Sequence, residues 1–147
     1  MAVLTHINIS PGGIPKRSIL VAHVTRAGIE SDRQKNLKYH SGLDRAICLY
    51  SHELYAELGA DGIRLLPGDV GENFTTRDLD LMSLAPGDRL AVGECEIEIT
   101  KIRVPCKQLN ALHPDLMQKI TGRSGWMARV LKGGTLHPGA PIERFPA

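Results

Sequence analysis

A cysteine held between positive charges on a rigid turn is the residue of this chain best suited to chemistry. It is Cys106, in the run Arg103-Val104-Pro105-Cys106-Lys107. Pro105 fixes its own φ and offers no N–H, so the thiol sits on a stiff turn. Arg103 and Lys107 bring positive charge, and the helical segment expected next adds the partial positive charge of its first turn. Both favour thiolate over thiol. A thiolate serves as nucleophile, sulfur carrier or soft metal ligand. The plain alternative is a small apolar residue packed beside a turn. Cys48 and Cys95 lie inside apolar strand patterns and read as core residues. There is no CxxC, and no histidine stands four residues from another, which argues against a closed structural zinc site.

Four further segments carry polar groups that a ligand would use. Gly12-Gly13-Ile14-Pro15-Lys16-Arg17 combines glycines that permit close backbone approach with two cations that can meet an anion, although it is not a P-loop. The stretch from Asp32-Arg33 through His40-Ser41-Gly42 to Asp44-Arg45 holds both charge signs and an imidazole able to relay a proton. Its bland reading is a polar loop whose Asp–Arg neighbours make local hydrogen bonds. Pro67 to Thr76 presents Asn73, Thr75 and Thr76 on a constrained turn. Gly122-Arg123-Ser124-Gly125-Trp126 reads as a helix-to-strand turn with a packed Trp, or as an anion contact through Arg123.

These segments need a scaffold. Fifteen glycines and nine prolines punctuate short apolar runs, which suggests a β-rich chain. Strands are expected at 3–9, 19–25, 46–50, 89–92, 94–102, 126–131 and 140–145. The run 19–25 is continuous and apolar, as in a strand covered on both faces. In 94–102, Cys95, Ile97 and Ile99 alternate with Glu94, Glu96 and Glu98, and the pattern breaks between Thr100 and Ile102, where a bulge would re-aim the chain. One helix is expected over 52–58, capped by Ser51 with Leu54, Tyr55 and Leu58 inward; another starts near Pro114 and ends at Gly122.

The composition narrows the function. A length of 147 residues suits one domain at roughly 150 residues per domain. A net charge of +2 and 4% aromatics argue against a dedicated nucleic-acid binder, which needs many phosphate contacts and stacking faces. Three scattered cysteines make a poor disulfide framework, and no apolar run approaches the length of a membrane span. A cytoplasmic protein with no membrane or nucleic-acid partner is expected.

Taken in order, the segments resemble the MOSC domain, the C-terminal domain of molybdenum cofactor sulfurases, and most closely its small stand-alone bacterial members. The matching pieces are GGIPKRSI (12–19), GIESDRQ (28–34), HSGLDRAICLYSHE (40–53), PGDVGENFTT (67–76), LDLMSLAPGDRLAVG (79–93), RVPC (103–106) and GRSGWMARVL (122–131). The resemblance implies one MOSC domain over 1–147, with a mixed β-rich, β-barrel-like fold and two or three short helices. It implies binding of the molybdenum cofactor, molybdopterin, with Cys106 as the metal ligand. Lys16, Arg33, Ser51, Asn73 and Arg103 are then the residues that hold the cofactor, and His40 the catalytic proton donor. Pyridoxal phosphate is not expected on this domain.

The activity so implied is reduction of N-hydroxylated bases or amines, with electrons from a separate redox protein. The alternatives are a sulfur carrier that uses a Cys106 persulfide from a sulfur-donor protein, and a non-catalytic cofactor-binding module. Family reductases carry an arginine where this chain has Gly71, and an additional N-terminal domain that covers the cofactor; a homodimer would close the site here. The family often has glycine at the positions of Ser31 and Ser41.

Overall fold

The computed structural model describes residues 1–32 and 43–147. The chain opens with β1 (Ala2–Ile9), β2 (Arg17–Ile19), β3 (Ala22–Thr25) and β4 (Gly28–Ile29). It continues through β5 (Ile47–Ser51), helix α1 (His52–Ala60) and β6 (Phe74–Arg77). Then come β7 (Arg89–Val92), β8 (Cys95–Ile102), helix α2 (Leu116–Ile120), β9 (Trp126–Lys132), β10 (Gly134–Leu136) and β11 (Pro141–Phe145). Short 3₁₀ turns at Leu43–Arg45, Leu81–Ser83 and Lys107–Ala111 fill three of the connections.

Eight strands form one mixed sheet in the order β11-β7-β8-β9-β5-β6-β1-β2, and β11 also pairs with β1 through Ala2–Ile142 and Val3–Pro141. That extra pairing brings the sheet back on itself and gives the β-barrel-like form expected from the sequence. β10, β3 and β4 make a separate small sheet. The parallel pair β5–β6 is joined by a crossover that contains α1. Every residue of β5 is buried, as a strand covered on both faces must be. In β8 the buried Cys95, Ile97 and Ile99 alternate with more exposed glutamates, and the register against β9 shifts between Ile99 and Lys101, close to the expected bulge.

Helix α1 starts as its sequence dictates. The Ser51 hydroxyl accepts the Leu54 N–H at 3.0 Å, and Leu54, Tyr55 and Leu58 face the core. Gly59 lies inside the helix, which runs on to Ala60. Helix α2 begins two residues beyond Pro114.

Two expectations fail. The run 19–25 is two strands, because the chain passes from one sheet to the other at Leu20 and Val21, which are exposed. Phe74 to Arg77 is a strand that the turn-rich sequence before it conceals.

The entry to β6 is fixed by a buried polar network. Glu72 is 0% exposed. Its Oε1 accepts the Tyr55 hydroxyl at 2.7 Å and its Oε2 accepts the Thr75 hydroxyl at 2.8 Å. Thr75 Oγ1 in turn accepts from Asn8 Nδ2 at 3.0 Å. Burial pushes the Glu72 carboxyl up from 4.5, against the opposing pull of the Tyr55 and Thr75 donors. A raised folded value means that the native state keeps a proton the unfolded chain has lost. Stability from this group therefore falls as pH rises from about 4.5 towards the higher native value, and is level beyond it. Melting temperatures followed across that window should drop less steeply for Glu72→Gln than for the parent chain; equal slopes would remove Glu72 as their source.

Candidate functional site

A cavity of about 370 Å³ opens where four parts of the chain meet. The turn between β1 and β2 supplies Ile14 and Lys16, and the approach to β6 supplies Gly71 and Asn73. The chain leaving β8 supplies Arg103, Val104, Pro105 and Cys106. The floor is a cross-strand row on β8, β9 and β5: Lys101 pairs with Met127, and Met127 with Cys48. Directly opposed residues share a sheet face, so this row turns one ammonium, one thioether and one thiol towards the cavity.

Each wall is held by specific bonds. The Lys16 N–H donates to the Gly68 carbonyl at 2.8 Å. The two connecting segments approach so closely here that a Cβ on Gly68 would stand 2.4 Å from the Lys16 carbonyl oxygen, and Gly68 has φ +91°. Lys16 is itself buried, and its Nζ lies 2.6 Å from Asp32 Oδ1. Asn73 begins the β6 wall. Its Oδ1 accepts the Cys48 N–H at 2.9 Å, and its Nδ2 donates to Asn8 O at 3.3 Å and to Asp32 Oδ2 at 2.8 Å.

Arg103 is tied at both ends. Its N–H donates to the Gly125 carbonyl at 3.0 Å, its carbonyl accepts the Ser124 hydroxyl, and its Nη2 donates to the Val70 carbonyl. Its Nη1 is buried and has no hydrogen-bond partner among the described residues. An unsatisfied cationic donor on a cavity wall is a seat for an acceptor that a ligand brings. The guanidinium lies over Gly71: Arg103 Nη2 is 3.5 Å from where a Gly71 Cβ would be, and Ile14 Cγ2 would be 2.6 Å from it. At φ +93° any L side chain here would be strained and would collide with Ile14.

Cys106 follows β8 at the start of the 3₁₀ turn, partly exposed and unpaired. Val104 and Ile102 stand exposed at the same mouth. The other two thiols are buried. Burial pushes the Cys48 thiol up, with Arg103 opposing, and raises Cys95 to about 11. Among the described residues no group of three or more His, Cys, Asp or Glu is placed to hold a metal ion. A metal at Cys106 would need other ligands supplied by a cofactor.

Of the residues singled out in the sequence, Lys16, Asn73, Arg103 and Cys106 line one cavity. Ser51 stands apart. Its hydroxyl is committed to the α1 cap, and the depression beside it is lined by Glu53, Glu57, Asp78 and Asp80, the wrong charge for a phosphate. Arg33 and His40 lie outside the described residues. The sequence placed Asp32 and Arg45 only in a polar segment with local hydrogen bonds, gave Met127 no role, and read Cys48 as core alone.

A family model described as the MOSC domain matches residues 36–143. The chain is 33% identical over 129 residues to protein YiiM of Escherichia coli, covering 82% of this chain and 57% of that one. It is 30% identical over 113 residues to a protein named reductase from Gibberella moniliformis, covering 71% of this chain and 20% of that one. The crystal structure of YiiM from Geobacillus stearothermophilus matches with a TM-score of 0.81 at 28% identity, covering 99% of this chain and 75% of that one. The chain thus spans less than two thirds of the curated relatives it matches.

The exposure pattern predicts one reactive thiol. Treatment of the native protein with a thiol reagent should modify Cys106 alone, and all three cysteines after unfolding; native modification of Cys48 at the same rate would contradict the burial described here.

Proposed function

The chain belongs to the MOSC domain family, and from that membership we propose that it binds the molybdenum cofactor through Cys106 and reduces N-hydroxylated bases or amines. The observation that carries this reading is the convergence of Lys16, Asn73, Arg103 and Cys106, widely separated in sequence, on one cavity. The residues suit the group. The cavity volume lies within the roughly 300–1,000 Å³ of small-ligand sites. The Cys106 sulfur is a soft ligand of the kind such a metal takes. The buried, unpartnered Nη1 of Arg103 fits an anionic oxygen, and Lys16 adds a second cation to the cavity lining.

When bound, the cofactor would supply the two-electron oxygen-atom chemistry. Conversion of an N–OH group to N–H consumes two electrons and two protons and releases one water. In this proposal a redox protein acting as partner of the domain supplies the electrons. Its own residues bind and orient. Arg103, held by its backbone and by Nη2, keeps Nη1 fixed before a ligand arrives, so little ordering cost remains. Lys101 and Lys16 raise the local positive potential and favour an anionic ligand.

Protein made in a host that assembles the cofactor should carry one molybdenum per chain by elemental mass spectrometry. Cys106→Ser should lose the metal while its melting temperature stays near that of the parent, because the side chain is partly exposed and bonded to nothing. Labile sulfur in place of metal would favour the carrier reading, and wild-type metal content in Cys106→Ser would remove the cysteine from the site.

A further inference from the structure

We propose that Asp32 is the positioning residue of this cavity, that it holds the Lys16 ammonium on the wall, and that Asn73 acts on a ligand only through Asp32. The inference rests on the cavity being the ligand site. A primary amide nitrogen has two hydrogens, and both of those on Asn73 are spent, on Asn8 O at 3.3 Å and Asp32 Oδ2 at 2.8 Å. None is left to give to a ligand. What Asn73 does instead is orient a carboxylate.

That carboxylate is a junction. Its Oδ1 accepts the Lys16 ammonium at 2.6 Å and the Ser10 N–H at 2.9 Å, while its Oδ2 accepts Asn73. The Lys16 and Asp32 side chains are only 7% and 6% exposed. One of the three ammonium hydrogens goes to Asp32, and Lys16 is among the residues that line the cavity. A long, flexible lysine left in that position without its counter-ion would carry a buried, uncompensated charge, and it would relieve this by swinging its head to water.

The backbone is bent to deliver Asp32. Ser31 adopts φ +71°, a conformation L residues seldom take, and the Asp32 N–H closes back on Ile29 O at 3.1 Å. Two buried apolar side chains could tie the same segments together without charge. An ion pair placed on a ligand wall does something they cannot, which is to present an aimed cation whose field is already half balanced.

The test is competitive acylation of the full-length protein with an amine reagent, with Lys16 modification read by mass spectrometry. Lys16 should be protected in the parent. Asp32→Asn should raise its modification on the order of tenfold, as expected when a buried pair is broken. Asn73→Ala should also expose Lys16, although the two residues share no bond, and the double variant should be modified no faster than Asp32→Asn alone. Leu90→Ala, a core truncation on β7, which supplies no cavity residue, should leave Lys16 protected. Protection of Lys16 in Asn73→Ala, additive effects in the double variant, or equal exposure in Leu90→Ala would each overturn the proposal. Should Asp32→Asn not fold, the Asn73 and Leu90 variants still decide it. The measurement needs no metal or cofactor, so a protein without molybdenum would sink the functional reading and leave this result intact.

Discussion

The cavity and the sheet share one anchor, the residue at the threshold of β6. The Asn73 N–H donates to the Cys48 carbonyl at 2.9 Å, and its side-chain oxygen receives the Cys48 N–H at the same distance. On the other side its carbonyl accepts the Asn8 N–H at 2.7 Å. A single residue thus reproduces ladder bonding to β5 and β1 before β6 formally begins. These groups lie where water does not reach, so each would cost free energy if left unpaired. Because the same amide also reaches Asp32, the pairing of the central strands and the placement of a cavity cation cannot vary independently.

Around that anchor, charge is distributed in two layers. On the interior side lies Glu72, a carboxyl group met by the hydroxyls of Tyr55 and Thr75. Facing the cavity are cations, of which Lys16 has its own carboxylate and Arg103 keeps one donor unspent. Of the buried donors left without a partner among the described residues, the one on Arg103 belongs to a residue that lines the cavity. The interior layer is closed: both Glu72 carboxyl oxygens accept a hydroxyl, and those hydroxyl oxygens accept in turn from Val70 N–H and Asn8 Nδ2. Such division of satisfied and unsatisfied groups is what a preorganised anion site requires.

How much of this could be read beforehand depended on the reach of each interaction. β8 declared itself because alternation is a property of neighbouring residues, and helix α1 because its cap and its inward face lie within a few positions. β6 did not: Phe74, Thr75 and Thr76 are all buried, so no alternation marks them, and the glycines and prolines before them suggest a turn. The run at 19–25 misled for the opposite reason, since apolar residues there include Leu20 at 79% exposure, a corner between two sheets. Cys106 was legible from Pro105 and the flanking charges, and Lys16 and Asn73 from the order of the family motifs. Asp32 was not, because its partners are 16, 22 and 41 residues away in sequence. Ser51 shows a different ambiguity. A small hydroxyl before a helix serves a cap or a ligand equally well on paper, and here the Leu54 N–H claims it.

The first strand has three neighbours, β2, β6 and β11, where most strands have two. Loss of that strand would bare the flanks of β6 and β11 together, each a row of unpaired amides and carbonyls able to recruit another chain. Damage at the amino terminus would therefore not end in harmless fraying. It would add two open margins to a sheet whose one free edge is the three-residue β2, and precipitation would follow sooner than simple loss of ligand.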